Sequence, residues 1–192
     1  MMPSRKSIRA GAEEKSPATG GAEVAVVAHC LLNPLTRVKG LAPLAFSPVG
    51  PTIQLPCPEA LYLGLERWAV TRNQLDVSQF RRFCRLLIVQ YADLLQMLAK
   101  EGTQVRIVGM AGSPSCGVAS TSSGYTGGRV RECEHEHVSG RGIFMEELMG
   151  ELERRGVAFE AEEVGKKRIG ESEFGSLPGI EPFRRERMDR FE

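Results

Sequence analysis

Residues 76–117 have the sequence DVSQFRRFCRLLIVQYADLLQMLAKEGTQVRIVGMAGSPSCG, in which a long amphipathic segment leads into an apolar run. Apolar residues recur at three- and four-residue steps over about residues 76–101, which predicts a helix, and Gly102 stands where a glycine commonly ends one. The run 104–110 (QVRIVGM) predicts a strand. A helix followed by a strand is a unit of parallel α/β folds, and its crossover should be right-handed.

Two further strands are predicted before this unit and one after it. Residues 23–28 (EVAVVA) form a short, nearly continuous apolar run, which is typical of a strand buried on both faces. Residues 52–55 predict a shorter strand, residues 139–155 a second amphipathic helix, and residues 157–164 a last strand. We therefore expect one α/β domain, residues 22–165, with a mostly parallel sheet and flanking helices.

The segments between and around these elements have loop composition. Residues 31–51 are predicted to form a long loop rich in Pro and Gly, of a length that tends to be functional. The small residues of 119–128 predict a mobile lid. Residues 1–21 are polar and predict a disordered tail, and the charged residues 166–192 predict a surface tail.

Composition restricts the class of protein. The 192 residues fit one domain and can bury a core without disulfides. The 25 Lys and Arg nearly balance the 24 Asp and Glu, so the net charge of +1 favours neither a nucleic acid nor a membrane surface as partner. No apolar run is long enough to span a membrane. Five cysteines, an odd count without a secretory signal, predict reduced thiols in a soluble, cytoplasmic protein.

Three of the cysteines each follow the end of a predicted strand: Cys30 in AHCLLN, Cys57 in LPCPE and Cys116 in SPSCG. If these strands are neighbours in a parallel sheet, their carboxyl ends converge and the thiols meet in one crevice, where open α/β sheets bind ligands. Free cysteine often serves only as a small buried hydrophobe, and Cys84 on the apolar helix face fits that role. The other three lie beside Pro or Gly or in loops, and together they predict a site.

Thiolates of this kind could hold either zinc or an iron–sulfur cluster. Three thiolates leave one position of a four-coordinate centre open, which is the arrangement for chemistry. A structural zinc site usually has a fourth protein ligand and clipped pairs of cysteines, whereas a [4Fe-4S] cubane takes one thiolate per iron and would leave a unique iron open. The spacing alone leaves both metals possible.

The three cysteine motifs resemble those of the thiouracil desulfidase family, and the HCLLN form of the first is similar to a desulfidase-related branch. The resemblance covers about residues 24–117. The family signature CLLG…RYDG is similar to CLL at residues 30–32 with Arg37 and Gly40. The signature CPE…GL is similar to CPE at residues 57–59 with GL at 64–65, and the signature SPSCG is similar to SPSCG at 113–117.

The resemblance implies a [4Fe-4S] cluster held by Cys30, Cys57 and Cys116. The open iron would bind the sulfur of a small thiocarbonyl compound such as a thiolated pyrimidine, and water would replace the sulfur, releasing hydrosulfide without net redox change. The catalytic serine of the family corresponds to Ser113. Because attacking water needs a proton acceptor and the leaving sulfide an acid, we take Glu59 as the candidate general acid/base or binding carboxylate.

Each candidate also has a purely structural alternative. Glu59 could be a helix-start carboxylate stabilised by the helix dipole, and Ser113 a hydroxyl that caps its own turn. Arg37 could position an anionic or carbonyl group of the substrate, or pair with a surface carboxylate. His29, next to Cys30, is a candidate pocket residue unless its alternation turns it into the sheet. The rival function is a non-catalytic zinc-binding or thiol redox-sensing protein.

A second group of possible ligands is the alternating set Cys133, His135 and His137 in CEHEH. In a strand all three would face one side, and a thiolate with two imidazoles can bind zinc. A histidine from this segment could also serve the cluster pocket as a proton shuttle. The simpler alternative is a solvated, charged loop.

Overall fold

Four parallel strands form the central sheet of the computed structural model, which describes residues 21–41, 44, 46–124 and 135–165. In chain order the elements are β1 Glu23–Val27, α1 His29–Leu32, a 3-10 helix Pro34–Thr36, β2 Thr52–Gln54, α2 Pro58–Leu63, α3 Arg72–Leu75, α4 Ser78–Lys100, β3 Gln104–Met110, β4 Ser120–Ser123, β5 Glu136–Ser139, α5 Ile143–Arg154 and β6 Phe159–Val164. The predicted C-terminal tail and the N-terminal tail up to residue 20 lie outside the described residues.

The strand order of the sheet is β2-β1-β3-β6. β1 is parallel to both of its neighbours, with Val27 opposite Gln54 of β2 and opposite Val108 of β3. Four of the five residues of β1 are buried, as expected of a strand covered on both faces. The predicted parallel sheet is confirmed, and the three strands that lead to the three cysteine motifs are adjacent.

The two long helices pack against each other and against the sheet. α4 buries one stripe of side chains at four- and three-residue steps: Phe80, Cys84, Ile88, Ala92 and Leu95. These side chains join those of the strands and of α5 in one hydrophobic core. The described chain is therefore a single domain, and the assignment of Cys84 to the core is confirmed.

The boundaries of the two predicted helices shift for local reasons. α4 begins at Ser78 because Asp76 is the C-cap of the short helix α3, whose own capping box joins Thr71 and Gln74. α5 begins at Ile143 because Ser139 is paired in β5. The predicted loop 31–51 begins with the last turn of α1 and the 3-10 helix rather than with irregular chain.

The predicted lid is wrong over its described part. Residues 120–123 form β4, which pairs antiparallel with β5, and Ser120, Thr121 and Ser122 are buried. Small side chains here allow β4 to pack closely against its surroundings, so their smallness indicates tight packing rather than mobility. Residues 125–128 lie outside the described residues.

No helix in the described ranges is long and apolar enough to cross a membrane.

Candidate metal centre at the carboxyl edge of the sheet

Cys30, Cys57 and Cys116 line one cavity at the carboxyl ends of β1, β2 and β3. The cavity has a volume of about 100 Å³ and opens to solvent on one side. The polar residues that share its wall are Arg37, Glu59, Arg67, Ser113, Ser115 and Ser122. The sequence motifs that lie far apart in the chain therefore meet in one crevice, as the adjacency of their strands requires.

Cys57 is held by the start of a helix. It is the N-cap of α2, and its Sγ accepts a hydrogen bond from the Ala60 N–H at 3.4 Å. Pro58 occupies the first helical position, where a proline costs no backbone hydrogen bond. The Pro–Cys–Pro sequence thus fixes the direction of the Cys57 side chain.

Cys116 is held by the packing of its loop on the N-terminus of α5. The N–H groups of Ile143 and Phe144 donate to the carbonyl oxygens of Pro114 and Ser115 at 3.0 and 2.9 Å. A Cβ on Gly142 would lie 2.4 Å from the Ser115 carbonyl carbon, so only glycine permits this approach. The first turn of α5 therefore uses its free N–H groups to fix the SPSCG loop.

A carboxylate from β6 fixes the chain that follows Cys116. One Glu163 oxygen accepts hydrogen bonds from the N–H groups of Val118, Ala119 and Ser120 at 2.6, 2.7 and 2.9 Å. The other accepts from the Ser120 hydroxyl at 2.8 Å. Successive N–H groups that converge on one anion form a nest, so this edge strand anchors the loop.

The thiols of the cavity are free, and burial raises the pKa of each. Burial, with smaller contributions from Cys57 and Glu59, raises the pKa of Cys30 to about 12, while Arg37 opposes the increase. The pKa of Cys116 is raised by burial and then by Cys30 and Cys57, which shows that the three sulfurs are electrostatic neighbours. Such thiols are poor nucleophiles, and a metal that binds them must displace their protons.

The donor set suits a polynuclear cluster. As the side chains stand, no group of three or more His, Cys, Asp or Glu residues in the described ranges is arranged to hold a metal ion. A four-iron cluster gives each thiolate its own iron, so its ligands need not converge on one point. Soft thiolates from Cys30, Cys57 and Cys116 are the ligand type that iron–sulfur clusters use.

Glu59 belongs to a buried hydrogen-bonded group. Its Oε1 accepts from the Ser115 hydroxyl at 2.5 Å, and its Oε2 accepts from Arg67 Nε at 3.2 Å. The side chains of Arg67 and Glu59 are 5% and 8% exposed. Arg67 also donates to the Thr36 carbonyl oxygen at 2.7 Å, so it joins the chain after Cys30 to the helix after Cys57.

Ser113 forms the hydrogen bond of a turn and also faces the cavity. Its Oγ accepts from the Cys116 N–H at 3.0 Å and lies 3.5 Å from Ser115 Oγ. The turn role considered from the sequence is thus present, while the Ser113 proton remains able to point to Ser115 or to a ligand. Ser113, Ser115 and Glu59 form a continuous series of hydroxyl and carboxylate groups.

The two weaker candidates occupy different places. Arg37 lines the cavity, and its Nε and Nη1 atoms are buried without a hydrogen-bond partner among the described residues, so no carboxylate of the described ranges pairs with them. His29 is not among the lining residues; its Nδ1 donates to the Leu55 carbonyl oxygen at 3.0 Å. Its side chain therefore links α1, which follows β1, to the residue that follows β2.

Three polar residues of the wall are not among the candidates predicted from the sequence: Ser115, Arg67 and Ser122. Ser115 lies within the SPSCG motif, two residues after the predicted Ser113. Ser122 was assigned to a lid, although strand alternation would have placed it on one face with the buried Ser120. Of the CEHEH set, His137 is buried in β5 and His135 precedes that strand, while Cys133 lies outside the described residues.

Comparison with known proteins gives one clear relative. The chain is 30% identical over 156 residues to the uncharacterized protein MJ0003 of Methanocaldococcus jannaschii, and the alignment covers 76% of this chain and 88% of that protein. The chain belongs to the family of MJ0003. No family model matches the chain, and no solved structure matches it significantly.

Proposed function

We propose that the protein removes sulfur hydrolytically from a small thiocarbonyl compound, such as a thiouracil-like nucleobase, and releases hydrosulfide. The observation that carries the proposal is the meeting of Cys30, Cys57 and Cys116 in one cavity with Glu59 and two serines. These thiolates would hold a [4Fe-4S] cluster. When bound, it supplies an open iron that acts as a Lewis acid toward the sulfur.

Glu59 is the proposed proton acceptor for the attacking water. In the balanced reaction the water oxygen becomes the carbonyl oxygen, the carbon–sulfur bond breaks, and the sulfur leaves as hydrosulfide with one of the two water protons. The other water proton passes to Glu59 and from there to solvent. The Arg67 guanidinium and the Ser115 hydroxyl hold the Glu59 carboxylate in one orientation from its two sides. A positioned carboxylate of this kind is what general acid–base catalysis requires.

Ser113 is the proposed contact between this carboxylate and the substrate. It is only partly buried, whereas Ser115 and Glu59 are buried. Its hydroxyl accepts from the Cys116 N–H and so has its own proton to pass on. We assign it the transfer of a proton between the reacting centre and Glu59, through Ser115.

The thiol environment disfavours redox sensing. A sensor cysteine needs a low pKa and access to oxidant, whereas burial raises the pKa of Cys57 and Cys116. All described cysteines are free thiols, which agrees with the reducing cytoplasm as the proposed location.

The test is anaerobic reconstitution followed by three measurements: iron, acid-labile sulfide, and hydrosulfide release from 2-thiouracil. We expect about four irons and four sulfides per chain, with hydrosulfide release in the loaded protein only. Zinc bound in place of iron, or no metal after reconstitution, would reject the cluster. A complete cluster without release from any thiocarbonyl compound would reject the reaction.

A further inference from the structure

The cavity wall carries hydrogen-bonding groups that the protein itself leaves unsatisfied. In the part of the chain that the structure describes, Arg37 Nε and Nη1 are buried without a hydrogen-bond partner, and so is the hydroxyl of Ser122, a residue only 4% exposed. Both residues line the cavity of the three thiols. Because a buried polar group without a partner costs free energy, unpaired groups in one cavity indicate that a ligand completes them.

Among the described residues, the neighbouring polar groups form their hydrogen bonds with other partners. Glu59 is the carboxylate of this cavity wall, and both of its oxygens are taken, by Ser115 and by Arg67. Ser113 accepts from the Cys116 N–H, and Ser120, the other buried serine on this face of β4, bonds to Glu163. The hydrogen-bonding groups of the wall near Glu59 are thus satisfied, whereas those of Arg37 and Ser122 are left for a ligand.

Arg37 and Ser122 require different hydrogen-bonding groups on a ligand. A guanidinium only donates hydrogen bonds, so the ligand must present an acceptor to Arg37. A serine hydroxyl both donates and accepts, so Ser122 suits either an N–H group or a second acceptor. The charge of Arg37 already has counter-charges when the nearby thiolates are ionised, so a neutral acceptor is sufficient.

We infer that Arg37 and Ser122 recognise the amide edge of the substrate, with Arg37 donating to a carbonyl oxygen and Ser122 bonding the adjacent ring N–H or oxygen. The substrate class is then a cyclic thioamide that carries a second carbonyl group, and not a simple thione. The inference rests on the proposed function for the position of the sulfur atom. An analogue without that carbonyl leaves Arg37 unpaired and binds weakly.

The test compares two sulfur-free ligands that differ in this amide edge: uracil, and pyrimidin-2-one, which lacks the C4 carbonyl oxygen and the adjacent N3–H. Equilibrium binding to the anaerobically reconstituted protein is measured by calorimetry. We expect wild type to bind uracil about 10- to 100-fold more tightly. Arg37→Met should abolish most of this preference, and Ser122→Ala should reduce it.

Matched controls are available beside each position. Lys39 is exposed and pairs with Glu66, so Lys39→Met removes a nearby cation outside the cavity. The hydroxyl of Ser123 donates to Asn73 Oδ1 at 2.9 Å, and Ser123 does not line the cavity. Lys39→Met and Ser123→Ala should both keep the preference for uracil.

The outcomes separate this inference from the proposed function. Equal binding of the two pyrimidines by wild type, no binding of either, or a preference that survives Arg37→Met would overturn the inference. Loss of iron in Arg37→Met would also overturn it, because Arg37 would then serve the thiolates. If the uracil preference depends on Arg37 but 2-thiouracil releases no hydrosulfide, the inference stands and the proposed reaction fails.

Discussion

Cys84 is a buried thiol and Cys30 a partly buried one, and desolvation raises the pKa of each to about 12, yet the two lie in very different surroundings. Cys84 packs in the hydrophobic core on the inner stripe of α4. Cys30 faces a cavity whose wall also contains Cys57, Cys116, Glu59 and Arg37, two of whose guanidinium nitrogens have no hydrogen-bond partner among the described residues. Burial and pKa alone therefore do not distinguish a ligand from a core residue, whereas the other groups in the same cavity do.

The largest difference between the two regions should appear on removing a thiol. Cys57→Ala should abolish iron retention and hydrosulfide release, because three thiolates are the minimum that fixes the cluster. Cys84→Ala should keep both and lower the free energy of unfolding by about 1 kcal/mol, the usual cost of a small core truncation. The measurements are iron content, turnover and urea denaturation. Full iron in Cys57→Ala would remove Cys57 from the ligand set.

The next largest effect concerns the carboxylate of the cavity. Glu59→Gln keeps the shape of the side chain but removes the proton acceptor, so turnover should fall about 100- to 10,000-fold. Iron content should be unchanged, because Glu59 is not a proposed ligand. Glu66→Gln is the control, since Glu66 is exposed and paired only with Lys39 in the described contacts. Unchanged turnover in Glu59→Gln would leave Glu59 the structural role of orienting Arg67.

A smaller effect separates two glycines of the same helix region. Gly142→Ala places a Cβ 2.4 Å from the Ser115 carbonyl carbon, so it should cost about 1–3 kcal/mol of stability and release iron faster. Gly150 lies inside α5 with nothing near its would-be Cβ, and Gly150→Ala should stabilise by about 0.5–1 kcal/mol. Urea denaturation and iron release to a chelator measure both. Equal effects of the two changes would show that the Cys116 loop does not depend on α5.

The sequence predicted the parts of this fold that depend on local pattern and strand adjacency. The apolar runs of β1 and β3 and the period of α4 identify their elements directly, and parallel neighbours bring their carboxyl ends to one edge. Cys30, Cys57 and Cys116 could therefore be grouped from the order of the strands and motifs along the chain. Cys84 could be set apart because its position follows the helical period.

The polar half of the site depends on contacts that no local pattern encodes. Arg67 reaches Glu59 and Thr36 through tertiary packing, and Ser115 meets Glu59 only because two loops from different strands converge. The small residues of β4 predicted a lid because small side chains are typical of both mobile loops and tightly packed strands. Glu163 could not be assigned at all, since its nest exists only when β6 lies beside β3.

A pH dependence of the free energy of unfolding should also separate the two kinds of thiol. In the metal-free protein the thiols lose their protons more readily when unfolded, near their usual pKa of 9.0, than when folded, where that of Cys30 is about 12. Stability from this source is fully present below about pH 9 and is lost as pH rises toward 12. Each thiol should contribute a slope of up to about 1.4 kcal/mol per pH unit in that window.

Urea denaturation of metal-free protein between about pH 8 and 10 should show this decrease, and Cys57→Ala and Cys84→Ala should each make it shallower. In the iron-loaded protein the thiols of Cys30, Cys57 and Cys116 are already ionised in the folded state, so they no longer contribute to the decrease in stability with pH, whereas Cys84 still does. Cys84→Ala should then remove the decrease of the unfolding free energy with pH in loaded protein. In metal-free protein the same change should only reduce that decrease. An identical slope with and without iron would mean that the cavity thiols keep their protons, and it would exclude them as ligands.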